Sequence, residues 1–516
     1  MPACSPGAVQ RTGASAIVRT DSGPVNGTVT DAYRAFRGIP YAAPPVGELR
    51  WRAPQPPQRW SAPRDATKPG SRCPQLASTE FDFAGSVNED CLYLDVTTPR
   101  PARPDRLKPV MVWVHGGGFT NGAGSDYDAR RLAVGGDVVV VTVNYRLGLL
   151  GFLGHPSLAD SGNFGLQDQQ AALRWVRRNA AAFGGDPGNI TLFGESAGAL
   201  SACAQLTSPA AAGLFHRTVM QSGSCMIDWP NNAILPGVPA GSPWTARSEV
   251  EASGSSVAAS LGCADPATAA ACLRRVPVSD VLTAGQTARL GPAFDTPVLP
   301  ANPARALSEG RFHQVPVISG TTRDESRLFV PLFSDTPIPP ERYRGLLDEA
   351  FGDRAEHVAA RYPLSAYDSP GLAWAAVTTD RVWACPTLTG DRLLAKRAPT
   401  YGYEFADRQA PAIFPLASGL PLGAYHGSEV AYLFDLVDVD ASLSADQQRL
   451  SDQMIRYWTR FAATGNPNGP GLPHWPRVED TGSAGPPIQS LAPGADGIRL
   501  VDLAAEHHCD FWSNLS

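Results

Sequence analysis

Several short runs along the chain are apolar at almost every position: Val110–Val114, Val138–Val143, Ile190–Phe193, Thr218–Met220, Val315–Ile318 and Tyr401–Phe405. Continuous rather than alternating apolarity predicts strands buried on both faces of a parallel sheet. Leu166–Phe183 has another rhythm. Ala171, Ala172, Trp175 and Val176 gather on one side and arginines on the other, which predicts an amphipathic helix. Gly184-Gly185-Asp186-Pro187-Gly188 is a breaker cluster after it. Strand, helix, breaker and strand predict a βαβ unit within a doubly wound α/β fold. The Pro-rich region Val25–Trp60 reads as antiparallel strand or loop, and Asp228–Ala293 and Phe329–Thr379 as loop-and-helix insertions.

A length of 516 residues would suggest three domains at roughly 150 residues each. The pattern instead favours one domain over residues 1–516, with the two insertions shaping a substrate gorge. Hydrophobic residues make up 43% and charged residues 18%, enough for a large core. Gly 50 and Pro 48 imply many turns and long loops, well short of a collagenous chain. A net charge of -6 leaves no basic footprint for nucleic acid. No apolar run reaches the roughly 18 residues of a membrane helix. Met1–Val9 lacks the basic start and apolar stretch of a signal peptide. Only three of the 43 basic residues are lysine, which reads, with the Ala and Pro richness, as a GC-rich bacterial coding bias. The 9 cysteines form no CxxC pair, so neither a zinc nor a thioredoxin-type site is expected, and an odd count leaves at least one free.

Chemistry enters at Gly194-Glu195-Ser196-Ala197-Gly198, a G-x-S-x-G sequence between the strand Ile190–Phe193 and helix-forming Ala197–Leu206. That setting is a nucleophile elbow, with Ser196 on a strained turn at the edge of the sheet. His115-Gly116-Gly117-Gly118 directly follows the strand ending at Val114. Backbone N–H groups can approach a developing oxyanion only where side chains are absent, which nominates Gly117 and Gly118, with Ala197 after the nucleophile. No Lys-Ser/Thr pair follows the glycines, so they are not a Walker-type phosphate loop. Of the histidines well after Ser196, His426 lies in the loop Gly423–Gly427, free to swing over the sheet edge, and is the candidate base. The acid should follow the strand through Val315–Ile318, where Asp324 and Glu325 both qualify.

Nine motifs, in order along the chain, resemble those of one family. They are Phe36-Arg37-Gly38-Ile39-Pro40-Tyr41-Ala42, Glu89-Asp90-Cys91-Leu92-Tyr93-Leu94, His115-Gly116-Gly117-Gly118-Phe119 and Gly162-Asn163-Phe164-Gly165-Leu166-Gln167-Asp168-Gln169. They continue with Phe183-Gly184-Gly185-Asp186-Pro187, the Ser196 pentapeptide, Gln221-Ser222-Gly223-Ser224, Arg323-Asp324-Glu325 and Tyr425-His426-Gly427-Ser428-Glu429. In this order they resemble the type B carboxylesterases, which include bacterial para-nitrobenzyl esterases and the cholinesterases.

The resemblance implies an α/β-hydrolase fold, a mostly parallel sheet flanked by helices, with insertions forming a gorge. It implies a serine carboxylic-ester hydrolase that works through an acyl-enzyme without metal or organic cofactor on a small-molecule ester, as a monomer or weak homo-oligomer. Ser196, Glu325 and His426 would be the triad, Ser222 and Glu429 would stand behind it, and Glu195 would be a carboxylate in the gorge. Disulfides would join Cys73 to Cys91, Cys263 to Cys272 and Cys385 to Cys509, leaving Cys4, Cys203 and Cys225 free. Three such bridges favour an oxidising, extracytoplasmic compartment.

The chain departs from the cholinesterase pattern where a choline site needs aromatic rings. Phe81 replaces the expected Trp and Leu328 replaces a second ring, so choline should bind poorly. Trp229, with Trp244 and Phe294, is a candidate for the acyl side. A specialised hydrolase of a bulky ester, such as a polyester, plasticiser, carbamate or mycotoxin side chain, fits the same triad. A non-catalytic adhesion protein on this fold is the remaining reading.

Overall fold

The computed structural model describes residues 16–78, 84–100, 106–159, 161–286, 288, 290–333, 337–415, 419–479 and 485–515. The apolar runs all become strands of one sheet. In chain order its strands are β1 (Thr28–Val29), β2 (Tyr33–Pro40), β3 (Tyr93–Pro99), β4 (Lys108–Val114), β5 (Val139–Val143), β6 (Gly185–Glu195), β7 (Arg217–Gln221), β8 (Val317–Thr322), β9 (Thr400–Phe405), β10 (Ile488–Leu491) and β11 (Arg499–Val501). Their spatial order is β11-β10-β9-β8-β7-β6-β4-β5-β3-β2-β1. From β10 to β5 every neighbouring pair is parallel, and both flanks are antiparallel. This is the α/β-hydrolase arrangement.

Two differences from the expected elements have local causes. The run expected from Val315 pairs only from Val317. Pro316 has no N–H for a ladder and offers its carbonyl to the Thr218 N–H at 3.1 Å. The breaker after the long helix is shorter than its composition suggests. Gly184 turns the chain with φ 88°, and β6 begins at Gly185, with a register shift against β4 between Gly185 and Ile190.

Continuous apolarity is explained by two cores. Side chains alternate across a strand. Val110, Val112, Val114, Val141 and Leu192 therefore face one core, with Leu173 and Val176 of α1 (Phe164–Asn179) and Ala202 and Leu206 of α2 (Ala197–Thr207). Met111, Trp113, Val140, Phe193 and Ile318 face the other, with Met454, Trp458 and Phe461 of α3 (Ala445–Thr464). The α3 helix starts with a capping box, in which Ser444 and Gln447 bond each other's backbone N–H groups. Both anticipated insertions are helical. The first carries helices Arg247–Ser260, Ala269–Leu273 and Val278–Gly285, and the second carries Pro340–Phe351, Ala355–Arg361 and Pro370–Thr378. Among the described residues no helix is long and apolar enough to cross a membrane.

Among the described residues there are four disulfides. Cys73–Cys91, Cys263–Cys272 and Cys385–Cys509 are the three expected. The fourth corrects the expectation that Cys203 and Cys225 are free: they are bonded, with Cα atoms 5.5 Å apart. Cys203 lies on α2 and Cys225 in the turn after β7, and the two elements pack side by side with both cysteines fully buried. Only the folded sheet brings them together. Cys4 lies outside the described residues. Replacing the fourth pair, Cys203→Ala with Cys225→Ala, should lower unfolding stability by about 2 to 4 kcal/mol in urea. An unchanged midpoint would mean that the bridge does not form.

Candidate active site

The site lies where the strand order reverses. Chain order runs β4, β5, β6, but β5 and β6 flank β4 on opposite sides. Loops leaving the carboxyl ends of β4 and β6 then part and leave a crevice, the usual ligand site of an open α/β sheet. Val114 pairs with Gly194, so His115–Gly118 and Glu195–Ser196 emerge together.

Ser196 has φ 56° and ψ -122°, a conformation costing roughly 1 to 3 kcal/mol. Three contacts hold it there. Its N–H donates to the Gln221 carbonyl at 2.9 Å, and its carbonyl accepts the Leu200 N–H at 2.9 Å as α2 begins. A Cβ at Gly198 would lie only 2.0 Å from the Val114 carbonyl oxygen, so no larger residue lets α2 approach β4 this closely. Ser196 itself is half-buried. In the facing loop Gly117 and Gly118 have φ 93° and 61°. Among the described residues nothing accepts from the N–H groups of Gly117, Gly118 or Ala197.

The two carboxylates left open by the sequence separate cleanly. Glu325 Oε2 lies 2.6 Å from His426 Nδ1, and the His426 N–H donates to the Glu325 carbonyl at 3.2 Å. The other oxygen, Oε1, accepts the Thr321 hydroxyl at 2.6 Å and the Thr322 N–H at 2.8 Å. Asp324 points elsewhere. It pairs with Arg408 at 3.0 Å and Arg327 at 2.9 Å, and accepts the Ala424 N–H at 3.1 Å. Glu325 therefore orients the His426 ring, while Asp324 pins the loop that carries it.

The other nitrogen, His426 Nε2, reaches the elbow, 3.2 Å from Glu195 Oε1. Glu195, Glu325 and Glu429 are all buried around this one histidine. Burial would raise Glu325, but the charge and hydrogen bond of His426 and the bond from Thr321 hold it below its usual range. Ser222, at φ 52° after β7, faces the same carboxylate without a well-aligned hydrogen bond. Glu429 is pushed up, first by burial and then by its negative neighbours. Its Oε1 accepts the Gln221 amide at 3.2 Å, and Gln221 accepts the Trp458 indole N–H at 3.1 Å. Glu195 is likewise raised by burial and by Glu325, against the pull of His426. Burial would lower His426, yet Glu195 and Glu325 outweigh it and raise the ring to about 9. Each of Glu195 and His426 therefore favours the charged form of the other. His115 behaves oppositely: burial lowers it to about 4, and it stacks on Tyr145 at 4.5 Å beneath the glycine loop.

Rings that the sequence did not nominate line His426. Trp383 stands 4.5 Å and Phe329 5.2 Å from it, centroid to centroid. Leu328 is buried in the 3₁₀ turn Glu325–Leu328, and the neighbouring ring is supplied by the next residue, Phe329. Aromatic content one position on was the available signal for Phe329, whereas Trp383 had none. Trp229, Trp244 and Phe294 do come together, around an open cavity of about 570 Å³. None of Ser196, Glu325 or His426 lines that cavity, but Trp229 packs in the cluster that contains Trp383, Phe329 and Leu200. Phe81 lies outside the described residues.

Sheet, elbow and buried His–carboxylate pair define an α/β-hydrolase. A model of the carboxylesterase family matches residues 14–512. Para-nitrobenzyl esterase of Bacillus subtilis (strain 168) is 36% identical over 488 residues, covering 90% of this chain and 93% of that protein. Cocaine esterase of Oryctolagus cuniculus is 36% identical over 509 residues, covering 90% of each. A solved PNB esterase structure superposes with a TM-score of 0.78 at 32% identity, over 96% of this chain and 99% of that one. The chain belongs to the carboxylesterase family and is a carboxylic-ester hydrolase.

A charge prediction follows from the Glu195–His426 contact. The Glu195 carboxylate stabilises the protonated His426 ring against the neutral one. Glu195→Gln should therefore move the acid limb of the kcat/KM pH profile to lower pH, by roughly one to three units. A limb that stays put would show that Glu195 does not act on His426.

Proposed function

We propose that Ser196 is the nucleophile, His426 the base and Glu325 the carboxylate that orients it. The carrying observation is the buried 2.6 Å contact between His426 Nδ1 and Glu325, with the other ring nitrogen at the Ser196 elbow. His426 takes the Ser196 proton as the hydroxyl attacks the ester carbonyl. The N–H groups of Gly117, Gly118 and Ala197 receive the oxyanion, their freedom from other acceptors supporting that role. Collapse of the tetrahedral intermediate expels the alcohol, protonated by His426. Water activated by the same ring then releases the acid and restores Ser196. Each lost oxyanion donor should cost roughly 3 to 4 kcal/mol at the transition state.

Two relatives of equal identity are named for different esters, so neither name transfers a substrate. The reading favoured here is a bulky, largely apolar ester. The apolar rings of Trp383 and Phe329 against His426 support it. The chain works as one α/β domain, with the insertions at about 228–293 and 329–379 shaping the approach. Its four disulfides support folding in an oxidising, extracytoplasmic compartment.

Ser196→Ala should lower ester turnover by about 10⁶ while leaving circular dichroism and melting temperature unchanged. A folded variant that keeps most of its activity would refute the nucleophile. A fluorophosphonate should add to Ser196 alone, and peptide mapping that finds the adduct elsewhere would do the same.

A further inference from the structure

A second histidine is gripped from both sides. His507 is buried, with Nδ1 2.5 Å from Asp380 Oδ1 and Nε2 2.7 Å from Glu404 Oε1. A neutral imidazole has only one N–H and cannot donate to both oxygens. Further charges surround the group on every packed element. Glu404 also pairs with Arg323 at 3.1 Å, and Arg323 pairs with Glu506 at 2.5 Å. Asp380 Oδ2 accepts the Tyr362 hydroxyl at 2.7 Å, and the Tyr362 oxygen accepts the Trp512 indole N–H at 2.8 Å. Arg361 reaches His508 Nδ1 at 2.6 Å beside them. Of the two carboxylates that grip the ring, only Glu404 has an arginine partner among the described residues, Arg323. Burial opposes a charge on the ring, but Asp380 and Glu404 overcome it and raise His507 to about 10. Glu404 is held below its usual range despite its burial, by His507 and Arg323.

Asp380 belongs to the π-helical turn Thr379–Ala384. Such turns are rare and concentrate at functional sites. This one touches the site in several places. Thr379 Oγ1 accepts the Ser326 N–H at 3.0 Å, next to Glu325. Arg381 pairs with Asp228 at 2.6 Å on the cavity wall. Trp383 lies against His426. The charge on His507 therefore bears on a turn whose far end covers the base.

We infer that His507, clamped as an imidazolium between Asp380 and Glu404, is a positioning residue that holds the Thr379–Ala384 turn and so keeps Trp383 against His426. This rests on the reading of His426 as the base. Without the cation, two buried carboxylates lose their shared partner, the turn shifts, and Trp383 no longer shields the ring from water.

The test is a double-mutant cycle on kcat/KM, run at a temperature where every variant is folded. His507→Gln should lower kcat/KM about tenfold in the wild-type background and less than twofold in a Trp383→Ala background. A purely structural role would multiply equally in both, and that outcome overturns the clamp. Asp380→Asn should reproduce the pattern. The charge has its own readout, which needs no change at His507. In His426→Gln protein, ¹⁵N-histidine spectra at pH 8.5 should retain one doubly protonated ring, and finding none overturns the clamp. Turnover that survives Ser196→Ala would strike the underlying triad reading instead, a result separate from either outcome of the cycle.

Discussion

The parallel pairing of β4 with β6 is the constraint on which the site depends. Val114 lies opposite Gly194, so a glycine loop and a strained serine leave the sheet at the same level. The approach of α2 is equally exacting, because it begins within contact of the Val114 carbonyl. The hydrophobic faces on either side of the sheet fix the register. A slip of one residue would turn Val112 and Val114 from one core into the other and carry the loop and the elbow apart.

Charge is the second organising quantity. Three carboxylates and one imidazole share a buried site, and they cannot all ionise. The structure separates them by their hydrogen bonds. Glu325, fully bonded, keeps its charge, whereas Glu429 has only an amide and one oxygen without a partner among the described residues. Glu195 lies between these extremes, tied to His426. The same logic recurs at His507, where strong carboxylate contacts make burial of a positive ring favourable instead of prohibitive.

Much of this was legible in the residue order, because strand burial and elbow chemistry are local. Val110–Val114 and Ile190–Phe193 announce strands whichever way they later pair, and Gly194–Gly198 announces its turn. What depends on distance was not legible. Asp324 and Glu325 are neighbours with the same chemistry, and only the direction each side chain takes from the turn after β8 tells them apart. Cys203 and Cys225 look like leftovers until α2 is laid beside β7. Trp383 comes to His426 from a π turn, whose extra residue per turn defeats the 3.6-residue periodicity by which a helix is read. Val315 failed as a strand residue for a local reason, the proline beside it.

The bridge between Cys385 and Cys509 spans 124 residues and sits two positions from His507. That spacing has a temporal consequence. Ser196, Glu325 and His426 are all translated well before the segment that secures the Thr379–Ala384 turn. A ribosome-bound chain can thus assemble most of its sheet yet lack the wall over His426. The wall over His426 is then completed only when the segment carrying His507 and Cys509 docks.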